Sequence, residues 1–322
     1  MHKWIIWLLM GIVWLTSCQK LTPEGVTPRL LQIDALDQLR SIAFTHPDTG
    51  YVVGGQRWSR DLLLKTVDGG QTWEEQEPVE AFGKILFDLH MLDGQRGFAA
   101  GLDGKVLRTR NGGKTWRIGQ VPGWQPMHAV GAFGPDTLIA VGGDGYSRGM
   151  IARSVDGGLN WAITDSLDRE LRDIFVLDAQ TAIVCGYGVI FRTEDAGRSW
   201  ARTDAQGEFF STLDFPASQV GYVAGRTGTI LKTVDAGQSW TRLRNGNNPA
   251  LPRRFFNAVR FVDAEKGYVV GDRGFLAQTD DGGESWVQIE LETRADLHDL
   301  HIRPDGSGYL IGEDATLIFG QF

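Results

Sequence analysis

Short apolar segments recur along this chain, separated by clusters rich in glycine, aspartate and serine. Three kinds of segment follow each other in a fixed order. The first alternates apolar and polar residues, as in "LRSIAF" and "LRDIFVL"; the second is almost wholly apolar, as in "GYVVGG" and "AIVCG"; the third is typified by "DLLLKT" and "VIFRT". Short runs of this kind predict β-strands, and no long window has the apolar spacing of a helix.

An eight-residue phrase follows six of the third segments. It reads "TVDGGQTW" at 66–73 and returns with small changes at 109–116, 154–161, 193–200, 233–240 and 279–286. Its closing tryptophans are 43, 45, 39, 40 and 46 residues apart. A repeat of about 40 residues, with three strands before the phrase and a fourth after it, is typical of one blade of a β-propeller.

The first three strands occur seven times, whereas the phrase and its outer strand occur six times. The segment "RLLQIDAL" at 29–36 looks like one of the outer strands, such as "WVQIEL". We therefore predict an all-β fold over 29–322, a seven-bladed β-propeller of four-stranded antiparallel blades. The N-terminal strand would close the last blade, because closure removes sheet edges that invite aggregation. The alternative is six blades with a frayed end.

The repeated phrase is well suited to a tight turn. Its Asp or Asn side chain can accept backbone N–H groups, its fifth residue is a glycine that permits positive φ, and its tryptophan is expected to pack between sheets with the N–H near water. The phrases resemble the Asp-box, or BNR repeat, which in its family is structural and lies away from the functional face. The residues assigned this role are Asp68, Asn111, Asp156, Asp195, Asp235 and Asp281. A metal or acid–base array is disfavoured because every copy has the same context.

The N-terminus has the features of an export signal. One lysine, an apolar run and the sequence "LTSC" ending at Cys18 resemble a bacterial lipoprotein signal with its lipobox. We predict a signal peptide at 1–17, lipidated Cys18, a tether at 18–28 and an extracytoplasmic protein anchored in the cell envelope. An ordinary secretory signal is the alternative. Gln19 is not the aspartate that is associated with inner-membrane retention in some bacteria, which favours the outer membrane.

The chain is acidic, with a formal net charge of −8, and has no basic run. This composition argues against nucleic acid as a partner and against electrostatic docking on anionic lipid. The second cysteine, Cys185, lies in the apolar segment "AIVCG" and is interpreted as a buried small side chain. We expect a monomer without a cofactor, in contact with the membrane only through the lipid on Cys18.

The whole unit, from the first strand through "GYVVG" and a "TILKT"-like strand to "VDGGQTW", resembles the photosystem II stability and assembly factor family, here in lipoprotein form. The resemblance covers 29–322. It implies a single seven-bladed propeller with a non-enzymatic role, which binds polypeptide on one face during assembly of a membrane complex. In that family an arginine-rich patch is associated with binding. Many bacteria without photosystems carry such propellers, so a photosynthetic host does not follow.

Binding residues are expected where the first strands begin, because rigid sheets display variable loops there. The second residue of each first strand should lie near the channel mouth, and this position is assigned to Arg40, Asp88, His128, Arg172, Ser211, Asn257 and His298. The neighbouring turns and loops add Arg57, Trp58, Asp103, Trp124, Asp144, Arg148, Tyr187, Arg226, Arg254, Asp272 and Arg273. Arginine with exposed aromatic rings is typical of protein-contact surfaces, and the alternative is a solvated mouth whose charges pair with each other.

The competing hypothesis is a carbohydrate-active propeller, either a sialidase-like or other glycoside hydrolase or a glycan-binding module. A hydrolase of this class needs two carboxylates about 5–9.5 Å apart, and Asp88 with Asp103 or Asp144 could be cast in that role. No metal site is predicted, because His298 and His301 are three residues apart on a strand and should face opposite ways.

Overall fold

A computed structural model describes residues 27–30, 36–77, 83–205, 209–247 and 254–322. Strand β1 (Thr27–Leu30) comes first. Blades 1 to 3 follow in chain order: β2 (Gln38–His46), β3 (Thr49–Gln56), β4 (Arg60–Thr66), β5 (Glu74–Glu75), β6 (Leu86–Met91), β7 (Gly97–Gly101), β8 (Lys105–Thr109), β9 (Arg117–Gln120), β10 (Met127–Ala132), β11 (Leu138–Asp144), β12 (Arg148–Ser154) and β13 (Ala162–Leu167).

Blades 4 to 7 complete the strands. They contain β14 (Leu171–Val176), β15 (Ala182–Gly186), β16 (Val189–Thr193), β17 (Ala201–Arg202), β18 (Phe210–Asp214), β19 (Gly221–Gly225), β20 (Ile230–Thr233), β21 (Thr241–Arg244), β22 (Phe256–Phe261), β23 (Gly267–Gly271), β24 (Phe275–Thr279), β25 (Val287–Ile289), β26 (Leu297–Ile302), β27 (Ser307–Gly312) and β28 (Thr316–Gln321). Two 3₁₀ turns, Leu102–Gly104 and Asp272–Gly274, lie between second and third strands.

The strands form seven antiparallel four-stranded sheets, and the first strands contact one another in a closed ring around the axis. This confirms the predicted seven-bladed propeller. The last sheet has the order β1-β28-β27-β26, so both ends of the propeller share one blade. The described part of the closing strand is Thr27–Leu30, so the strand begins two residues before the predicted segment 29–36. The predicted tether therefore loses 27 and 28 to the strand.

The predicted signal peptide, Cys18 and the tether up to residue 26 lie outside the described residues, as do residues 31–35 of the predicted closing strand. In the part of the chain that is described, no helix has the length and apolar character needed to cross a membrane. Cys185 is fully buried in β15, and burial raises the pKa of its thiol well above the usual value.

The apolar core lies between adjacent blades, and this position explains the "GYVVG" segments. Each second strand packs against its neighbours on both faces, as in the fully buried Gly267–Gly271. Its last glycine leaves room for the loop that precedes the first strand: a Cβ on Gly142 would lie 2.0 Å from the Pro126 carbonyl oxygen. Its tyrosine reaches the next blade, as where the Tyr51 hydroxyl donates to the Gly112 carbonyl at 3.1 Å.

The six repeated phrases, here called boxes, share one hydrogen-bond scheme. In blade 4, the buried Thr193 hydroxyl accepts the Gly197 N–H at 3.1 Å and donates to Asp195 at 2.8 Å. Asp195 also accepts from the backbone N–H (2.9 Å) and hydroxyl (2.6 Å) of Ser199. Partial desolvation opposes ionisation, but these bonds hold the pKa of Asp195 at about 2. The fifth-position glycines have φ between 74° and 88°. The carboxylate is therefore occupied within its own turn.

One expectation about the boxes is wrong: their indole nitrogens turn away from water. Trp161 donates to the Gly158 carbonyl at 3.2 Å and Trp286 to the Gly283 carbonyl at 3.1 Å. The others are buried without a hydrogen-bond partner among the described residues; they belong to Trp73, Trp116, Trp200 and Trp240. In the two bonded cases the indole N–H points back to a carbonyl of its own box. Trp200 is only partly buried, whereas Trp116 is 1% exposed.

The boxes also define the two ends of the propeller. The fourth residue of a box, Gly or Ala, donates its N–H to the turn between first and second strands, as from Gly69 to the Asp48 carbonyl at 2.9 Å. We call this end the box face. The opposite end, where first strands begin and second strands turn into third strands, is called the mouth. The arginine-bearing turns lie at the mouth, so the two sets are separated by the length of a strand.

Candidate functional site at the channel mouth

A one-residue β-bulge lies near the start of every first strand. In blade 3, for example, Met127 pairs with Gly142 and Ala129 pairs with Val141, which leaves His128 as the extra residue. A bulge re-aims the side chain of its extra residue. All seven such residues line the cavity at the mouth: Arg40, Phe87, His128, Arg172, Ser211, Asn257 and His298.

Asp88 is predicted at this position, but Phe87 is the bulged residue of blade 2; Asp88, the next residue, lines the same cavity. Asp88 lies one step deeper, where side chains bridge blades: its carboxylate accepts the Val130 N–H of the next blade at 2.9 Å. Asp173 and Asp299 do the same with the N–H groups of the following blades, at 2.9 and 3.1 Å. This tier joins neighbouring first strands.

Below that tier, Arg260 lies among the channel aspartates. Its guanidinium is 3.0 Å from Asp299 and keeps 34% of its side-chain exposure, so the channel admits solvent. Burial raises the pKa of three other aspartates although Arg260 opposes the rise: Asp88 to about 6, Asp173 to about 7 and Asp214 to about 6. Of this group, only Asp88 is predicted from the sequence. Arg260 and Asp299 come from different blades, and only three-dimensional pairing brings them together.

Arginine side chains give the mouth a positive region. Arg40 lies 2.9 Å from Nε2 of His298, whose Nδ1 lies 2.9 Å from the Leu39 carbonyl oxygen. Nδ1 must therefore carry the proton, and Nε2 accepts from Arg40. Burial lowers the pKa of Arg40 to about 10, assisted by the charges of Arg172 and Arg226. Among the described residues, no carboxylate forms an ion pair with Arg40, Arg57 or Arg226.

Carboxylates of blades 6 and 7 border the same cavity. Asp272, Asp296 and Glu313 line it together with Arg40 and Arg226. Burial raises the pKa of Asp272 and of Glu313, and the nearby Asp296 raises both further. The Asn257 side chain donates to Asp272 at 3.1 Å. The mouth thus has a positive side and a negative side. The carboxylates of blades 6 and 7 border the cavity but form no ion pair with Arg40 among the described residues.

Two exposed tryptophans lie further out on the mouth. Trp58 is 65% exposed, with Arg57 at 5.2 Å and Lys84 at 5.8 Å from its ring centroid. Trp124 is equally exposed, and Lys105 lies 5.4 Å from its ring. Each of these two rings is therefore exposed to solvent, with one or two cationic side chains close to it.

The remaining predicted residues occupy the mouth without converging on one point. Asp103 pairs with Lys84, and Asp144 lies 3.4 Å from Arg148 at an exposed turn. With Asp88 bound to the Val130 N–H, the three carboxylates weighed for a hydrolase each have a separate partner. Arg254 lies 5.3 Å from the Phe275 ring centroid, and the Arg273 N–H donates to Asp296 at 2.8 Å.

No group of three or more His, Cys, Asp or Glu side chains that could hold a metal ion occurs among the described residues. His298 and His301 make separate contacts: His298 bonds to blade 1, whereas the His301 ring stacks on Phe44 with centroids 4.8 Å apart. Both have lowered pKa values through burial, to about 3 and about 4, so both rings are neutral at pH 7.

Comparison with known proteins identifies the family. The sequence model described as "Photosynthesis system II assembly factor YCF48" matches residues 26–165 and 204–308. The chain belongs to this family. A curated member, the "Photosystem II assembly lipoprotein Ycf48" of Synechococcus sp. (strain CC9902), is 29% identical over 143 residues. That alignment covers 41% of this chain and 39% of the relative's length. The resemblance seen in the repeated unit is thereby confirmed.

Solved structures share the fold. "YCF48 bound to D1 peptide" has a TM-score of 0.71 and 17% identity, covering 95% of this chain and all of that chain. YCF48 from Cyanidioschyzon merolae has a TM-score of 0.68 and 19% identity, covering 92% of this chain and 98% of that chain. A GH74 xyloglucanase from Xanthomonas campestris also has a TM-score of 0.68, at 16% identity, but 53% of its chain is covered. At these identities the likeness concerns the fold.

Proposed function

We propose that this chain is a non-enzymatic, lipid-anchored assembly factor whose mouth binds a polypeptide segment of a membrane complex. Membership of the YCF48 family supports an assembly role. The observation that carries the proposal is the set of mouth arginines, Arg40, Arg57 and Arg226, which lack ion-pair partners among the described residues. A solved structure of the family, YCF48 bound to D1 peptide, supports the same class of ligand.

The chemistry of the mouth favours a segment that carries carboxylates. A guanidinium presents several donors in a planar fork and binds carboxylate in two-point geometry. Burial is the main cause of the lowered pKa of Arg40, and the charges of Arg172 and Arg226 lower it further, so these three cations repel one another at the mouth. An acidic side chain or a chain terminus placed there would relieve that repulsion.

The lipid anchor would place the box face towards the membrane. β1 runs from the box face to the mouth, because Thr27 pairs with Phe319 near the end of β28 and Leu30 pairs with Thr316 at its start. Cys18 precedes Thr27 by nine residues, a stretch that spans at most about 30 Å. The mouth would then face the aqueous compartment, where a partner's soluble segment can reach it.

Crosslinking in native membranes, with mass-spectrometric identification of what is attached, tests the partner. We expect a membrane-complex subunit to be recovered, and Arg57→Glu or Arg226→Glu to reduce its recovery at least tenfold. Arg198→Glu is the matched control, because it makes the same charge change on an exposed box. Equal recovery from mouth and control variants would contradict a binding role for the mouth.

The anchor is tested separately. Cys18→Ser should leave the protein unacylated, so that it appears in the soluble extracytoplasmic fraction. Fractionation of the wild-type protein should then show it in the outer membrane, as Gln19 predicts. Wild-type protein that carries no lipid, or that leaves the membrane with salt alone, would overturn the anchoring part of the proposal.

A further inference from the structure

Three aromatic rings from consecutive blades meet at the mouth. The Tyr187 ring centroid lies 4.8 Å from those of both Tyr146 and Phe209, and the latter two are 6.2 Å apart. Tyr187 is only 3% exposed, whereas Tyr146 is 60% and Phe209 47% exposed. We call these three residues the aromatic platform, in which the two exposed rings pack against the buried ring of Tyr187. Its position in blades 3 to 5 places it beside the arginines.

A buried carboxylate fixes the exposed ring of Tyr146. Glu170 has a side chain that is 4% exposed, and one of its oxygens accepts the Tyr146 N–H at 3.0 Å. In return the Glu170 N–H donates to the Tyr146 carbonyl at 3.2 Å. Tyr146 has a φ of 68°, a left-handed conformation that costs energy for a residue other than glycine. Strain of this kind persists only where the surroundings hold it, and Glu170 does so at two points.

The other oxygen of Glu170 is held by the side chains of two bulged residues, Arg172 and His128. It lies 2.7 Å from Arg172 Nη2 and 3.0 Å from His128 Nε2. Burial opposes ionisation of Glu170, but these two neighbours and the Tyr146 N–H keep the pKa of its carboxyl below the usual value. Burial lowers the pKa of His128, so a neutral ring donates its Nε2 proton to the carboxylate.

Arg172 also ties the platform to the positive region. It donates to the Tyr187 hydroxyl at 2.7 Å, and its guanidinium carbon lies 5.1 Å from the Tyr187 ring centroid. Arg172 lines the same cavity as Arg40 and Arg226. On the other side, the backbone N–H of Arg226 donates to the backbone carbonyl of Phe209 at 2.9 Å. The aromatic platform therefore adjoins Arg172 through a side-chain hydrogen bond and Arg226 through the backbone.

We propose that the aromatic platform is a specificity site for an aromatic side chain of the bound segment, next to a carboxylate held by Arg40 and Arg226. This inference rests on the proposed function and specifies its ligand. Aromatic and arginine side chains together are typical of contact hot spots, and preorganised anchors contribute most. The Tyr187 hydroxyl is already bonded to Arg172, so the platform offers ring surface rather than hydrogen bonds. The positive region beside it selects acidic neighbours by charge complementarity.

Titration with three synthetic peptides tests the inference on the purified protein. The peptides are Gly-Asp-Phe-Asp-Gly, its alanine counterpart Gly-Asp-Ala-Asp-Gly and its amide counterpart Gly-Asn-Phe-Asn-Gly. We expect wild-type protein to bind the first at least tenfold more tightly than either of the others, measured by NMR chemical-shift titration. A ratio near one between the phenylalanine and alanine peptides would overturn the platform's role.

Two variants locate that preference. Phe209→Ala and Tyr146→Gly should bind the phenylalanine and alanine peptides alike while keeping a preference for aspartate over asparagine. Glycine suits a φ of 68°, so Tyr146→Gly should fold at least as stably as wild type. Val234→Ala is the control, since it shortens an exposed apolar side chain in a box, on the face opposite the mouth. Loss of the aromatic preference in the control alone would place the site elsewhere.

The outcomes separate the two proposals. If aspartate-dependent binding is found without an aromatic preference, the platform inference fails and the proposed function stands. If neither aspartate peptide binds, and Arg226→Glu does not reduce recovery of the crosslinked partner, the platform inference and the proposed function both fail. Glu170→Gln tests the positioning role: we expect the aromatic preference to fall severalfold while aspartate dependence is kept, and an unchanged preference would show that Glu170 does not position the ring.

Discussion

The two ends of the channel are built from the same seven blades, yet they differ in how closely their residues repeat. At the box face, the hydroxyl of Thr or Ser, the side chain of Asp or Asn and a glycine of positive φ make the same hydrogen bonds six times. At the mouth, the bulged position holds arginine in two blades, histidine in two, and phenylalanine, serine and asparagine in the others. The same blade geometry therefore carries nearly identical residues at the box face and different residues at the mouth.

The difference follows from what each position must satisfy. Box bonds join residues two to four apart around a buried hydroxyl, so any departure leaves a buried donor without its acceptor. Bulged side chains at the mouth share no such scheme. Arg40 and His128 reach His298 and Glu170 of neighbouring blades, whereas Arg172 reaches Glu170 two residues before it. Repetition thus marks the positions that hold the fold, and variety marks those free to recognise a ligand.

Substitution of a box tryptophan should cause the largest loss of stability. Trp116 is 1% exposed and packs between blades 1 and 2, so Trp116→Ala should cost about 3–5 kcal/mol of unfolding free energy. Chemical denaturation measures it. Trp200→Ala should cost less, because that ring is partly buried. Equal losses at the two positions would show that burial does not set the contribution of the ring.

The box hydroxyls should have the next largest effect. Thr193 is 1% exposed and its hydroxyl is the acceptor for Gly197, so Thr193→Val keeps the shape and leaves that N–H without a partner. The expected loss is about 1–3 kcal/mol. Thr203→Val is a suitable control, because its hydroxyl bonds the Ile190 carbonyl at 3.3 Å in a partly buried site and should matter less. A loss at Thr193 no larger than that of the control would contradict the role of the hydroxyl.

The channel between the two ends should make stability depend on pH. Asp173 has a folded pKa of about 7 against an ordinary value of about 3.9. Between these values the folded protein keeps a proton that the unfolded chain releases, so this group makes the protein less stable as pH rises from 4 to 7. Asp173→Asn removes that contribution. The variant should gain on the order of 1 kcal/mol relative to wild type between pH 5 and pH 8.

The comparison with wild type is essential in that experiment. The buried histidines have lowered pKa values, for example about 4 for His90, and they change stability in the opposite sense across the same window. They act equally in both proteins and cancel in the difference. A difference between variant and wild type that is constant from pH 5 to pH 8 would mean that Asp173 titrates near its ordinary value.

The repeated elements could be predicted from sequence because each is written several times. Spacing of the boxes gave the blade length, and a surplus of third strands required an outer strand from the N-terminus, which β1 supplies. The exact position of a residue within a strand was predicted less well. A bulge adds one residue without altering the apolar pattern around it, and in blade 2 the bulged residue is Phe87 rather than the predicted Asp88.

Features made by different blades could not be read from the chain. Arg260 and Asp299 are 39 residues apart, and Glu170 reaches back 24 residues to Tyr146. Neither pair has a local signature, because any polar residue is compatible with a turn or a channel-lining strand. The inward direction of the box indole N–H groups also has no local sequence signal, because it depends on how each ring packs. Of the aromatic platform, only Tyr187 was assigned to the mouth from sequence.

The smallest effect on stability is expected for a tryptophan at the opposite end. Trp58 is 65% exposed and contacts Arg57 and Lys84, so Trp58→Ala should change the unfolding free energy by less than about 0.5 kcal/mol. Set beside Trp116→Ala under identical denaturation conditions, the same substitution then separates the two ends of the propeller. Recovery of the crosslinked partner should fall for Trp58→Ala, because its ring contributes to the contact surface. If Trp58→Ala instead costs as much stability as Trp116→Ala, the ring belongs to the fold, and the division between a repeated structural end and a variable binding end does not hold in blade 1.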